Sequence, residues 1–509
     1  MDTQISIIPY PTKINRLDGS LKCRPVLVLS EPFFSASIET VYALLAQTNL
    51  GKSKARANQQ EEAALPLYVQ KDESLANKEA YTLTITKNTI TVTAAAAHGA
   101  FYAIETLRQL ALTQDEIPCV SIKDEPAYCW RGFMLDTCRS FFPVSFIEKL
   151  IDVAAFHKLN TFHWHLTDDQ GWRLPVPEYP ELTKTGAWRT DRRLTGCTEK
   201  VCGGESQTGF YSDEEIAEVV AFAAKRFVTV VPEIEIPGHA SALLASYPNL
   251  GCTGGPYHVE DRWGIFPDIV CAGNDDLFTL YGKVFDTICR LFPSPWVHIG
   301  GDECIYDNWK RCPKCQARMK QEHIKKEAGL QAWITSRVAT MLQERGKTAI
   351  GWDEVLNGVE LFKLPPSLIV QSWRGVEGGQ KASSLKHQVI MSPQNEGCYF
   401  DHKPYDSPLE PGRLGTNTVK SVYDYSPFLL DADEGQNAYV LGGECVLWTE
   451  EIPYAKTAEY LLFPRICAMA ESLWLPREKK DFTRFTNMLP AHEVRLDKLD
   501  IQYYKGPLF

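Results

Sequence analysis

Apolar and polar positions change rhythm once along the chain, near Trp130. Before it, "CRPVLVLS", "AYTLTITKN" and "TITVTAAAA" alternate with the two-residue period of strands, and "GAFYAIETLRQLAL" carries apolar residues at helical spacing. These segments predict a smaller α+β domain over residues 1–125. Its polar middle, "GKSKARANQQEEAALP", reads as a solvated connection. After Trp130 a strand-like run is followed by a helical one, repeatedly. "RGFMLDTCR" leads to "PVSFIEKLIDVAAFHKL", and "TFHWHLTDD" leads, after a long insertion, to "SDEEIAEVVAFAAKR". "VTVVPEIEIPGH", "WVHIGGDE", "TAIGWDE", "SLIVQSW", "QVIMSPQ" and "YVLGGECVLWTE" complete eight strand candidates, the last followed by the helical "AEYLLFPRICAMAESLW". Alternation of this kind calls for parallel strands, and eight of them predict a closed (β/α)₈ barrel over residues 126–509. The span exceeds the roughly 250 residues usual for that fold, so long βα-loops are needed; residues 171–211 and 240–295 supply them.

Composition narrows the partners. The 509 residues are 44% hydrophobic, enough for a large core, and 53 Lys plus Arg stand against 64 Asp plus Glu, a formal charge of −11. No basic block interleaved with aromatics is present to track phosphates, so nucleic acid is not an expected partner. The most apolar helical stretch is broken by Lys225 and Arg226, short of the roughly 20 residues of a membrane span. Nothing in the pattern specifies an oligomer. Of 15 cysteines, Cys312 and Cys315 form a lone CxxC without a second pair following at zinc-site spacing. A zinc knuckle, a loop disulfide involving Cys304 and simple thiols are the readings of that pair. No secretory signal precedes "MDTQISIIPYP".

Barrel active sites lie at the carboxyl-terminal ends of the strands. There the sequence places Asp136 and Arg139 after strand one, Asp168 and Asp169 after strand two, and His239 after strand three. Asp302 and Glu303 follow strand four, Trp352 strand five, Trp373 strand six, Tyr399 and Asp401 strand seven, and Trp448 and Glu450 strand eight. One carboxylate after a buried strand is ordinary. Carboxylates, an arginine and three indoles on one rim suit a sugar, whose C–H faces stack on indole and whose hydroxyls bond to Asp, Glu and Arg. The two-residue strand period predicts that Trp448 with Glu450, and Tyr399 with Asp401, each present a ring and an acid to the same side. The glycines of "HIGGDE" are expected to leave room for a ligand against the strand.

Glycosidases ordinarily need two carboxyl groups on opposite sides of the scissile bond, about 5 to 5.5 Å apart for retention and about 6.5 to 9.5 Å for inversion. Sequence neighbours on one strand end are badly placed to do this. A substrate carrying its own nucleophile removes the difficulty. A 2-acetamido carbonyl can attack the anomeric carbon, and the second carboxylate then orients the amide N–H and offsets the charge forming on it.

"LDTCR", "FHWHLTDDQGW", "PEIEIPGH", "HIGGDE", the tryptophans and "WTE" together resemble family-20 glycoside hydrolases, the β-N-acetylhexosaminidases, over nearly the whole chain. The resemblance implies a retaining, exo-acting hydrolase that removes terminal β-linked N-acetylglucosamine or N-acetylgalactosamine from a glycan or oligosaccharide, without a cofactor or an active-site metal. It implies Glu303 as general acid and then base, Asp302 as the acetamido-orienting carboxylate and Tyr399 as donor to the acetamido oxygen. Arg139 is implied to bind the 3- and 4-hydroxyls, Glu450 the 4-hydroxyl and Asp401 the 6-hydroxyl. Trp352, Trp373 and Trp448 would wall the pocket, with Asp168 and His239 a supporting relay near Glu303. By the same resemblance an exported protein, periplasmic or extracellular, is expected, with a cytoplasmic one as the alternative.

Two rival functions use the same residues. His163 and His165 of "HWH" fall on one face of strand two, as in barrel hydrolases with a His-x-His metal site. That reading needs further ligands, and His298, taken as beginning its strand, is expected toward the opposite end of the barrel; the alternative is that both histidines bond to carboxylates inside it. A sugar-binding protein without catalysis would use Asp302 and Glu303 only to grip hydroxyls.

Overall fold

The structure is a computed structural model that describes residues 5–51, 64–189 and 208–509. The solvated connection of the first domain lies largely outside the described residues, as does the middle of the 171–211 loop. Residues 13–124 form a six-stranded mixed sheet in the order Lys13–Lys22, Glu116–Asp124, Tyr81–Ile85, Ile90–Ala94, Leu65–Lys71, Val26–Ser30. Tyr81–Ile85 and Ile90–Ala94 alternate buried and half-buried positions, the signature of a sheet with one face on a core. The helix Ala97–Ala111 covers that face and is buried nearly all round, its polar Glu105, Arg108 and Gln109 included. The edge strand Lys13–Lys22 escapes a periodicity reading because it is largely exposed; Glu116–Asp124 pairs beside it, one strand in from the edge.

Eight parallel strands close into a barrel in chain order: Trp130–Asp136, Thr161–His165, Thr229–Glu233, Trp296–His298, Thr348–Trp352, Ile369–Ser372, Val389–Met391 and Val440–Leu447, the last pairing with the first. The expected architecture is therefore present. Two residues along a strand face the same way, and the interior changes character over that step. Trp130, Val231, Ile350, Ile369 and Ile390 form an apolar plug. One step on, Glu233, His298 and Gln371 join His163 and Glu444 in a polar layer. Gly132 admits this layer, since a Cβ there would lie 2.3 Å from Glu444 Oε2. The segment "AEYLLFPRICAMAESLW" is two helices, Ala455–Leu462 and Arg465–Trp474, because Pro464 has no N–H and excludes helical backbone at Phe463.

The two units share a buried polar seam. Asp124 of the sheet accepts from Lys158 Nζ at 3.0 Å, Trp474 Nε1 at 2.8 Å and Tyr81 Oη at 2.7 Å. Arg131, at the start of the barrel, pairs with Glu79 at 2.7 Å, and Arg108 with Asp152 at 2.7 Å. Among the described residues no helix is long and apolar enough to cross a membrane.

Candidate active site

The carboxyl-terminal rim surrounds a cavity of about 430 Å³, within the range of small-molecule sites. Arg139, His239, Asp302, Glu303, Trp352, Trp373, Tyr399, Trp448 and Glu450 line it.

Arg139 is fixed before any ligand arrives. Asp136 Oδ1 accepts the amides of Cys138 and Arg139, while its Oδ2 lies 3.3 Å from the Arg139 guanidinium. Asp168 adds an ion pair at 2.8 Å, Gln170 Oε1 accepts from Nε at 2.8 Å, and the guanidinium sits 5.1 Å from the centre of the Trp448 ring.

Behind the acidic pair runs a chain of charged groups. Glu233 and Asp168 flank His165, with Asp168 Oδ2 at 2.9 Å from Nε2. His239 Nδ1 lies 3.0 Å from Asp169 Oδ2 and 3.3 Å from Asp168 Oδ1, so the expected Asp168–His239 contact exists but Asp169 shares it at closer range. The opposite nitrogen, Nε2, lies 3.4 Å from Asp302 Oδ2 and 3.5 Å from Glu303 Oε2. Burial alone would lower the His239 pKa, but Asp168 and Asp302 outweigh it and hold the ring well above its ordinary value, as a cation. Burial raises the Glu303 carboxyl; the His239 cation pulls it down and the Asp302 carboxylate pushes it up again, with a net rise. Asp302 Oδ1 is buried and accepts no hydrogen bond from the described residues.

The backbone that presents the pair is unusual. Gly300 and Gly301 have φ of +62° and +97°, and Glu303 itself +48°, a left-handed conformation that costs a non-glycine residue energy. The glycines serve a different purpose from the expected one. A Cβ at Gly300 would lie 1.8 Å from Glu235 Oε2 and one at Gly301 2.7 Å from Val355 Cγ1, so protein groups fill that space and not a ligand.

Tyr399 and Asp401 lie eight and ten residues past the seventh strand, where the strand period no longer applies. Tyr399 reaches the cavity and stacks near Trp373, ring centres 6.2 Å apart. Asp401 does not line the cavity; it is buried behind Arg413, whose Nε lies 3.0 Å away and whose Nη2 pairs with Glu450 at 2.8 Å. Burial brings the Asp401 carboxyl up to about 7 against the pull of Arg413. Arg413 is a site cation with no signal in the sequence, since it comes from an aperiodic loop. Glu354, two residues beyond Trp352, also went unread. It accepts from Trp373 Nε1 at 2.8 Å, and burial together with Asp302 and Asp353 pushes its carboxyl up to about 9. The acidic "WDE" after a strand end was the available signal.

The His-x-His pair faces inward to carboxylates. His163 Nδ1 is 2.8 Å from Glu444 and Nε2 3.1 Å from Glu233, while His165 is held between Glu233 and Asp168. His298 ends its strand instead of beginning it. Its Nδ1 lies 2.7 Å from Glu233 and its ring centre 4.6 Å from that of His163, so the expectation that it sits at the far end of the barrel is wrong. The strand is three residues long and stops before the glycines.

A barrel whose rim joins two adjacent carboxylates, an anchored arginine and a wall of indoles defines a glycoside hydrolase. The family model "Glycosyl hydrolase family 20, catalytic domain" matches residues 128–477, and "Glycosyl hydrolase family 20, domain 2" matches residues 4–125. A beta-hexosaminidase of Porphyromonas gingivalis is 38% identical over 99% of this chain, which spans 65% of that protein's length. The beta-N-acetylhexosaminidase structure from Bacteroides fragilis superposes with a TM-score of 0.83 at 31% identity, covering 98% of this chain and 97% of that one. An exo beta-N-acetylglucosaminidase from Vibrio harveyi, solved with N-acetylglucosamine, superposes with a TM-score of 0.85 at 29% identity, covering 99% and 80%. The chain belongs to glycosyl hydrolase family 20, the β-N-acetylhexosaminidases.

Proposed function

We propose that this chain removes terminal, non-reducing β-linked N-acetylglucosamine or N-acetylgalactosamine with retention, using the acetamido group of the departing sugar as nucleophile. One observation carries the reading: Asp302 brings a buried, unpartnered oxygen to the cavity directly beside Glu303, with both acids at one imidazole nitrogen. A carboxylate so placed cannot attack from the face opposite Glu303, but it can accept the N–H of a bound acetamide.

In the first step the Glu303 carboxyl gives its proton to the glycosidic oxygen while the acetamido carbonyl oxygen bonds to the anomeric carbon. The C–O bond to the leaving group breaks, and Asp302 offsets the charge on the resulting oxazolinium ring. In the second step the Glu303 carboxylate takes a proton from water, which attacks the same carbon and reopens the ring. His239, held by Asp168 and Asp169, keeps both acids in place. Tyr399 donates to the acetamido oxygen, and Trp352, Trp373 and Trp448 enclose the methyl group and ring face. Arg139 and Glu450 take the 3- and 4-hydroxyls. Asp401 serves the 6-hydroxyl side through Arg413, which it and Glu450 hold.

Matched aryl β-glycosides that differ only in 2-acetamido or 2-hydroxyl test this. The acetamido compound alone should turn over, with a β-configured first product by NMR. Equal rates on both, or a sugar ester trapped on the protein, would overturn it.

A further inference from the structure

Outside the active site, four cysteines from separate parts of the chain converge. Cys252, Cys271, Cys312 and Cys315 place their sulfurs within 4.8 Å of one another, with Sγ–Sγ separations of 3.7 Å for 252–315, 3.7 Å for 271–312 and 3.6 Å for 271–315. We propose that these four thiolates bind one structural zinc ion.

The distances fit that geometry. Tetrahedral zinc with Zn–S bonds of about 2.3 Å requires sulfurs about 3.8 Å apart. A disulfide needs about 2.0 Å, and all thirteen described cysteines are free thiols, Cys304 among them. The chain is also shaped around the cluster. Cys271 is held to the turn before Cys252 by its amide, which donates to Leu250 O at 2.8 Å, and by the Gly251–Val270 bridge. Cys312 precedes Pro313 at the start of the helix Pro313–Gln321, which turns Cys315 back onto the same point. Gly273 must be glycine here: a Cβ would lie 2.2 Å from the Lys314 carbonyl and 2.6 Å from the Cys315 nitrogen, so any side chain would force the two ligand-bearing loops apart. Three of the sulfurs belong to buried residues and Cys252 is half-buried. Four thiolates leave no coordination position for water, which makes the site structural and not catalytic.

Its location gives the ion a task. The 252–271 loop carries Trp263 and Ile265 to the mouth of the cavity, and the 312–315 turn follows shortly after Glu303. Trp309 Nε1 bonds Val270 O at 2.8 Å, bringing the same two segments together. Zinc would fasten one wall of the cavity to the loop of the acidic pair. The CxxC was visible in the sequence, but its partners lie upstream at spacings that no short motif describes.

The test is elemental analysis of the full chain, expressed with zinc and purified without chelator. About one zinc per chain is expected, lost in Cys271→Ser and in Cys312→Ser but kept in Cys289→Ser. Should the serine variants fail to fold, cobalt exchanged into the native protein should show the intense visible bands of a tetrahedral thiolate site, and a mercurial reagent should release the zinc. The assignment is overturned by native protein that stays zinc-free after reduction and exposure to zinc, by iron in its place, by disulfides among these four cysteines, or by zinc retained in a folded Cys271→Ser.

Discussion

Replacing His239 by glutamine should move the alkaline limb of the pH profile upward. The imidazolium lies 3.5 Å from Glu303 Oε2 and favours its ionised form. Two unit charges at that distance interact by about 1.2 kcal/mol in bulk water and about 4.7 kcal/mol at an effective dielectric of about 20. At about 1.36 kcal/mol per pKa unit, these limits correspond to about 0.9 and 3.5 pH units. The Glu303 side chain is 28% exposed, so solvent screening favours the lower part of that interval. An upward move of about one to two pH units follows. The sign is fixed by the role of the group: a general acid works protonated, kcat/KM falls as pH rises through its pKa in the free enzyme, and losing a neighbouring cation raises that pKa. The Asp302 charge, no longer offset by the ring, pushes the same way. The assay is kcat/KM for an aryl N-acetylglucosaminide across the alkaline range. An alkaline limb that stays in place or moves down would refute the pairing of a charged His239 with Glu303 as the acid.

Glu303→Gln should lower turnover about 10²- to 10⁴-fold on poor leaving groups and far less on nitrophenyl leaving groups, read as the slope of rate against leaving-group pKa. Asp302→Asn should lose about 10²- to 10³-fold in kcat, the range for removing one preorganised charge-stabilising group, with unchanged circular dichroism; intact turnover would remove Asp302 from the mechanism. Gly300→Ala should destabilise the protein by about 2 to 4 kcal/mol, from left-handed backbone and overpacking against Glu235. A melting temperature equal to that of the parent would show that this loop yields easily.

The barrel and its acidic pair were legible because each rests on a local pattern. Strand followed by helix repeats wherever a parallel sheet is covered on its outside, and active-site groups follow strand ends. The site was less legible wherever chain beyond a strand places the side chain. Tyr399 and Asp401 follow an aperiodic segment, and only one of the two meets the cavity. Arg413 arrives on a loop without any period. The glycines before Asp302 were read as room for a ligand, whereas the groups that approach them are Glu235 and Val355, from segments far off in sequence. His298 was misplaced because strand length cannot be judged when glycines follow.

The seam between the sheet and the barrel bears on how the molecule comes apart. Lys158, Arg131 and Arg108 each surrender their hydration to meet an acid across it, and Asp124 alone ties together Tyr81, Lys158 and Trp474. Removing residues 1–125 would leave Arg131 and Lys158 without their acids and Asp152 without Arg108, and would open to water the surface now closed between the two units. The small sheet is thus no detachable appendage, and heat should melt the whole molecule in one cooperative step.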